Sequence, residues 1–154
     1  MRIIVRPNPL QEHYNHGQQL HLPASKAEIL DVLDRAQVPY GSGDYEILPR
    51  ASSHEFVVKI LINPQSNPSI SEMNLLAECL EQLEDYECDM VSGILEIRGS
   101  YNIADAINAT YNLDRYTLID VASNDYTLGE VAIANDLLPS IEQVPDELLD
   151  CLDM

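Results

Sequence analysis

The sequence predicts an α+β fold, and three observations predict it. Short β-rich runs and one capped amphipathic helix share the first 62 residues. Two stretches of helical period follow a polar linker, and the last third mixes another capped helix with a further β-rich run. With 154 residues and 45% hydrophobic content, the chain can bury a core without metals or disulfides.

The first expected module covers residues 1–62. Arg2 to Arg6 is a β-rich run closed by Pro7 and Pro9, and Gln11 to Leu22 reads as a polar loop or weak edge strand. Ser25 and Glu28 have the spacing of a capping box, in which each side chain satisfies the other residue's free backbone N–H. Ile29, Val32, Leu33 and Ala36 then recur at helical spacing, and Pro39, Gly41 and Gly43 end the helix. Asp44–Leu48 and Glu55–Ile62 are the next expected strands, giving a small antiparallel sheet with one helix.

Asn63 to Pro68 reads as a linker and opens a helical module, residues 63–100. Ser69 or Ser71 can cap a helix with Leu75, Leu76, Cys79, Leu80 and Leu83 inward and Glu72, Glu78, Glu81 and Asp85 outward. A second helix is expected over Asp85–Ile97, with Met90, Val91, Ile94 and Leu95 inside and Gly99 at its end. Residues 101–154 form the third, mixed module. Asn102 has Asp105 three residues on, as an N-cap does, ahead of Ile103, Ala106, Ile107 and Tyr111. Tyr116–Val121 reads as a strand, Leu128–Asn135 as a helix and Asp146–Leu152 as a last turn.

Charge carries the functional information. The chain has 26 acidic and 8 basic residues, a formal net charge of −18. Residues 1–68 hold seven acids and six bases, so nearly all of the field originates in residues 69–154, where nineteen acids face only Arg98 and Arg115. Salt adaptation would acidify the whole surface. Self-repulsion of this size lowers stability and is better tolerated beside a basic partner, and it opposes direct nucleic-acid binding.

Other classes of function find little support. No GxSxG, P-loop, GxGxxG or HExxH motif is present, and no catalytic residue is expected. Cys79, Cys88 and Cys151 lack CxxC spacing, and carboxylates around the first two raise rather than lower a thiol pKa. His13, His16 and His21 read as a solvent-facing loop, and no metal or cofactor is expected. No run reaches the length of a membrane span, and the first ten residues do not form a signal peptide, so a cytoplasmic protein is expected.

Acids three or four residues apart on a helix rise about 4.5–6 Å between charges, against about 3.4 Å between phosphates along one DNA strand. One helix is too sparse to imitate a duplex, but several side by side approach its density. The residues expected to form this partner-binding surface are Glu72, Glu78, Glu81, Glu84, Asp85, Glu87, Asp89, Glu96, Asp105, Asp114, Asp120, Asp125 and Glu130.

Two runs resemble those of a known family. Ile70–Leu83 is similar to the S-x-x-E-L-N-x-L-A helix of ArdA antirestriction proteins at Ser71, Glu72, Asn74, Leu75, Leu76 and Ala77. Ile103–Val121 resembles that family's D-x-I-N-x-T-x-N-L-D-x-Y motif at Asp105, Ile107, Asn108, Thr110, Asn112, Leu113, Asp114 and Tyr116. Leu128, Gly129 and Glu130 resemble the D-L-G-x-Y that follows, with Val131 departing from it. The resemblance implies an elongated protein of three modules, with the motif serving structure and a possible homodimer. It implies a DNA mimic without catalytic activity, carried on conjugative mobile elements, that occupies the DNA groove of type I restriction–modification enzymes. An acidic interaction module for another basic partner, or an inactive shortened paralogue, are the alternatives.

Overall fold

In a computed structural model, which describes residues 1–7, 17–39, 41–52, 54–116 and 131, β1 (Arg2–Pro7) is the central strand of a three-stranded antiparallel sheet. It is flanked by β2 (Gln18–His21) and β3 (Tyr45–Ala51). Ile3 pairs with Leu20 on one side, and Val5 with Ile47 on the other. These four residues are buried on one face, as the period of two along a half-buried strand requires. On the other face Arg6 forms an ion pair with Glu46, its register partner on β3. Pro49 is tolerated because β3 lies at the sheet edge. Gly17 leads into β2 where a Cβ would run into Ile4 Cγ2, so a larger residue would require the Ile4 side chain to shift. Of the stretch expected to be loop or weak edge strand, Gln18–His21 is thus a paired strand, and residues 8–16 lie outside those described.

Helix α1 (Lys26–Arg35) starts at the expected capping box: Ser25 Oγ accepts from the Glu28 N–H, and the Glu28 carboxylate accepts from the Ser25 N–H at 2.8 Å. It ends earlier than Pro39 and the glycines suggest. Gln37 takes a left-handed φ of 57°, while its N–H donates to Asp34 O and that of Val38 to Leu33 O. This pair of bonds is a Schellman closure with glutamine where glycine is usual.

The expected strand Glu55–Ile62 is a helix, α2. As a strand, this run would place Glu55, Val57, Lys59 and Leu61 on one face and so put two charges among apolar neighbours. As a helix it buries Phe56, Val57 and Ile60 together and lets Lys59 reach Glu55 at 3.4 Å on the wet side. Six apolar residues out of eight, broken only by Glu55 and Lys59, are too short a run for period alone to separate helix from strand, and packing against β3 and α4 decides the outcome.

Helix α3 (Ile70–Leu80) is capped by Ser69, with Glu72 completing a second capping box. Its buried stripe is Ile70, Met73, Leu76, Ala77 and Leu80, rotated from the expected one, and Leu75 is 40% exposed. Helix α4 (Asp85–Arg98) buries Cys88, Val91, Ile94 and Leu95, while Met90 is only half-buried. It closes on Gly99 at φ 61°, as expected. Helix α5 (Ile103–Thr110) is capped by Asn102, whose side chain accepts from the Asp105 N–H at 2.8 Å. Ile103, Ala106 and Ala109 are its buried residues; Ile107 is half-buried and Tyr111 is exposed. A 3-10 turn, Leu113–Arg115, follows.

Helices α3 and α4 both pack on α5, α2 packs on β3, and α1 on β2. The buried residues from Ile3 to Ala109, Ala36 and Val38 excepted, form one cluster, and Met1–Tyr116 form one compact unit, within which the expected boundaries at residues 63 and 101 fall. The architecture is α+β. The elements expected over Tyr116–Val121, Leu128–Asn135 and Asp146–Leu152 lie outside the described residues apart from Tyr116 and Val131.

Candidate acidic interface

Ten of the thirteen expected interface acids fall among the described residues. Glu72, Glu78, Glu81, Glu84, Asp85, Asp89, Glu96 and Asp114 are exposed, and Glu87 and Asp105 are half-buried. Asp120, Asp125 and Glu130 lie outside the described residues.

The helix boundaries change how these acids are grouped. Glu78, Glu81 and Asp85 do not line one helical face, because α3 stops at Leu80 and Asp85 is the first residue of α4. The turn between them instead gathers Glu81, Glu84, Asp85, Glu87 and Asp89 at one corner. From there Asp85, Asp89 and Glu96 run along one stripe of α4, since steps of four and seven residues return nearly to the same side. That stripe spans about 16 Å at 1.5 Å per residue.

Some acids are engaged locally. The Glu72 carboxylate accepts from Ser69, which holds its pKa below the usual 4.5, first through the backbone N–H and then through the hydroxyl. Glu78 accepts from Asn74 at 2.7 Å, Glu87 from the Glu84 N–H at 2.9 Å, and Asp105 from Ser100 and Asn102 at 2.6 Å each. None of these partners is a cation. Among the described residues the ion pairs are Arg6–Glu46, Arg35–Asp31 and Lys59–Glu55, all within the first 62 residues. Arg98 turns to Tyr116 instead, donating to its hydroxyl at 2.5 Å with the guanidinium 5.9 Å from the ring centre. The acids of α3–α5 therefore keep their field, while those of the N-terminal part are partly neutralised.

The motif residues of α5 and the following turn have structural positions. Thr110 Oγ1 donates to Ile107 O, and Asn112 Nδ2 donates to Asn108 O at 2.7 Å, closing the end of α5. Leu113, Ile107 and Tyr116 pack against the core, and the Tyr116–Arg98 bond ties the turn to α4. Sequence reasoning missed three apolar side chains standing among the acids: Tyr86, Ile97 and Tyr111, at 54%, 88% and 67% exposure. Tyr111, expected within the helix, lies just past the last turn of α5, where its hydroxyl meets Cys79 Sγ at 3.5 Å.

Cys88 is buried, and burial first, then Asp85, Asp89 and Glu87, push its thiol pKa above 9.0. It is thus held as a protonated thiol. No group of three or more His, Cys, Asp or Glu suited to a metal occurs among the described residues. No helix among them is long and apolar enough to cross a membrane. No protein-family model, curated protein or solved structure matches this chain.

Proposed function

We propose that this chain is an acidic decoy that competes with duplex DNA for the basic groove of a DNA-binding enzyme. The single observation that carries the reading is the set of exposed carboxylates Glu81, Glu84, Asp85, Asp89 and Glu96, with no cation paired to any of them among the described residues. A surface built only for solubility intersperses both signs. This one presents a single sign, and a basic groove that tracks phosphates is its electrostatic complement. The resemblance at Ile103–Tyr116 points to type I restriction–modification enzymes as the target, with no cofactor and no catalysis by the chain itself. Tyr86, Ile97 and Tyr111 would supply apolar contacts between the charges.

The test is competition on a purified type I methyltransferase–specificity complex carrying labelled duplex DNA. The chain should displace the DNA, and its own directly measured affinity for the enzyme should fall as salt rises, because the opposed charges are screened. The charge-reversed variant Glu81→Lys, Glu84→Lys, Asp85→Lys should fail to displace it and should lose protection in a plaque-restriction assay. Binding to the enzyme without displacement of DNA would replace the decoy with an adaptor role.

A further inference from the structure

Helix α4 carries three apolar side chains and a glycine along its outer side. A turn of about 100° per residue sets Tyr86, Met90, Gly93 and Ile97 within about 60° of one another, in a stripe about 16 Å long. Tyr86 is 54% and Ile97 88% exposed, and Met90 is half-buried. Gly93 is the telling member. Glycine is a poor helix former, yet this one stands in the middle of α4 without the positive φ that would call for it. A Cβ there would meet no atom within 4 Å, so packing among the described residues does not require its absence either. A lone exposed isoleucine needs no explanation, but exposed apolar side chains in one stripe, notched at the centre, mark a surface on which another chain closes.

Charge identifies the occupant. Asp89, Glu96 and Asp85 form the adjoining row, which begins about 40° around the helix from Gly93. All three are exposed, and none is in an ion pair among the described residues. Arg98, the one cation of α4, lies on the other flank of the stripe and is held by the Tyr116 hydroxyl. A second copy would bring the same acidic row and a net charge of −18, and residues 117–154 hold nine acids and no base. This chain therefore offers nothing of the opposite sign to lay there. We infer that the stripe seats lysine or arginine side chains of a protein partner, with their aliphatic stems over Tyr86 and Ile97, their charged heads on Asp85, Asp89 and Glu96, and the closest backbone approach at Gly93. The inference rests on the decoy reading and adds an apolar contact that a row of phosphates does not offer.

The affinity of the full chain for the purified type I methyltransferase–specificity complex, measured directly at low and high salt, tests this. The double variant Tyr86→Ser, Ile97→Ser and the single variant Gly93→Leu should each weaken binding by about tenfold or more. Neither changes a charge, so the factor should be similar at both salt concentrations, whereas loss of the acids acts mainly at low salt. Gly93→Ala should weaken binding less than Gly93→Leu, because the shorter side chain fills less of the notch. Tyr86 and Ile97 are exposed and the space over Gly93 is open, so the folded state should survive, and Gly93→Ala should raise the melting temperature. Displacement of DNA by the parent, with all these variants binding as tightly as the parent, would overturn the inference and leave the decoy reading standing. A parent that neither binds the enzyme nor displaces DNA would overturn both. Sedimentation showing a dimer that Gly93→Leu dissociates would assign the stripe to a second copy and overturn the inference alone.

Discussion

The Asn74 side chain accepts a hydrogen bond from the Ala24 backbone N–H at 2.6 Å, joining α3 to the chain entering α1 across 50 residues of sequence. The same side chain donates to Glu78, so one amide serves the sheet-side segment and the acidic helix together. Replacing Asn74 by Ala leaves the part-buried Ala24 N–H without its acceptor, and the cost should be about 1–3 kcal/mol. Asn74→Asp keeps an acceptor but places a second carboxylate beside Glu78, so its loss should shrink as salt rises. Urea denaturation of both variants at two salt concentrations checks this, and an unchanged midpoint for Asn74→Ala would show the bond to be dispensable.

The two left-handed helix ends predict changes of opposite sign. Gln37 holds φ 57° with a side chain that glycine would lack, so Gln37→Gly should raise stability by about 1 kcal/mol. Gly99 holds φ 61° without strain, and Gly99→Ala should lower stability by about the same amount. Thermal melts of the pair are sufficient, because neither position touches the core.

Local signals were legible in the sequence and tertiary choices were not. Ser25–Glu28, Asn102–Asp105 and Gly99 each write their geometry within three or four residues and stand where the spacing predicts, and of the two serines that could cap α3 it is Ser69 that does. Glu55–Ile62 is short and mostly apolar, and its one helical signal, the Glu55–Lys59 spacing, is too little to set against its β-branched residues without knowing its neighbours. The α3–α4 corner has a related cause. Residues 81–84 hold no glycine or proline to mark a break, so Glu78, Glu81 and Asp85 read as one face when they belong to two helices and a turn. The acidity of the candidate interface was legible as a count of charges. Its lack of cationic partners was not, because Arg98 could have met a carboxylate and instead meets Tyr116.

His54 gives the fold a pH dependence. It stacks on Phe56 and lines a cavity of about 200 Å³ with Met1, Leu22, Ala77, Leu80 and Glu81. Burial, and then the N-terminal ammonium, lower its pKa below 6.5, while Asp85 and Asp89 oppose the shift. A lowered folded pKa means that the neutral ring is favoured in the native state. Its contribution is therefore complete above 6.5 and is lost as pH falls through the lowered folded value. His54→Gln should flatten the fall in melting temperature between pH 6.5 and the onset of carboxylate titration. A slope identical to that of the parent would show that the ring charges at no cost.

The acids of α4 should differ in what they contribute to the helix that carries them. Asp85 lies in the first turn, where the helix dipole and free N–H groups favour a negative charge. Glu96 lies in the last turn, where the free carbonyls oppose it, and it has no cationic partner among the described residues. Glu96→Gln should accordingly raise the melting temperature by roughly 1–4 °C at low salt, whereas Asp85→Asn should lower it or leave it unchanged. If Glu96 is held there for the decoy surface, the same Glu96→Gln variant should displace DNA from its target less effectively while being the more stable protein. That opposition separates an interface charge from a solubilising one. A variant that gains stability and competes as well as the parent would remove Glu96 from the interface and leave the corner from Glu81 to Asp89 as its centre.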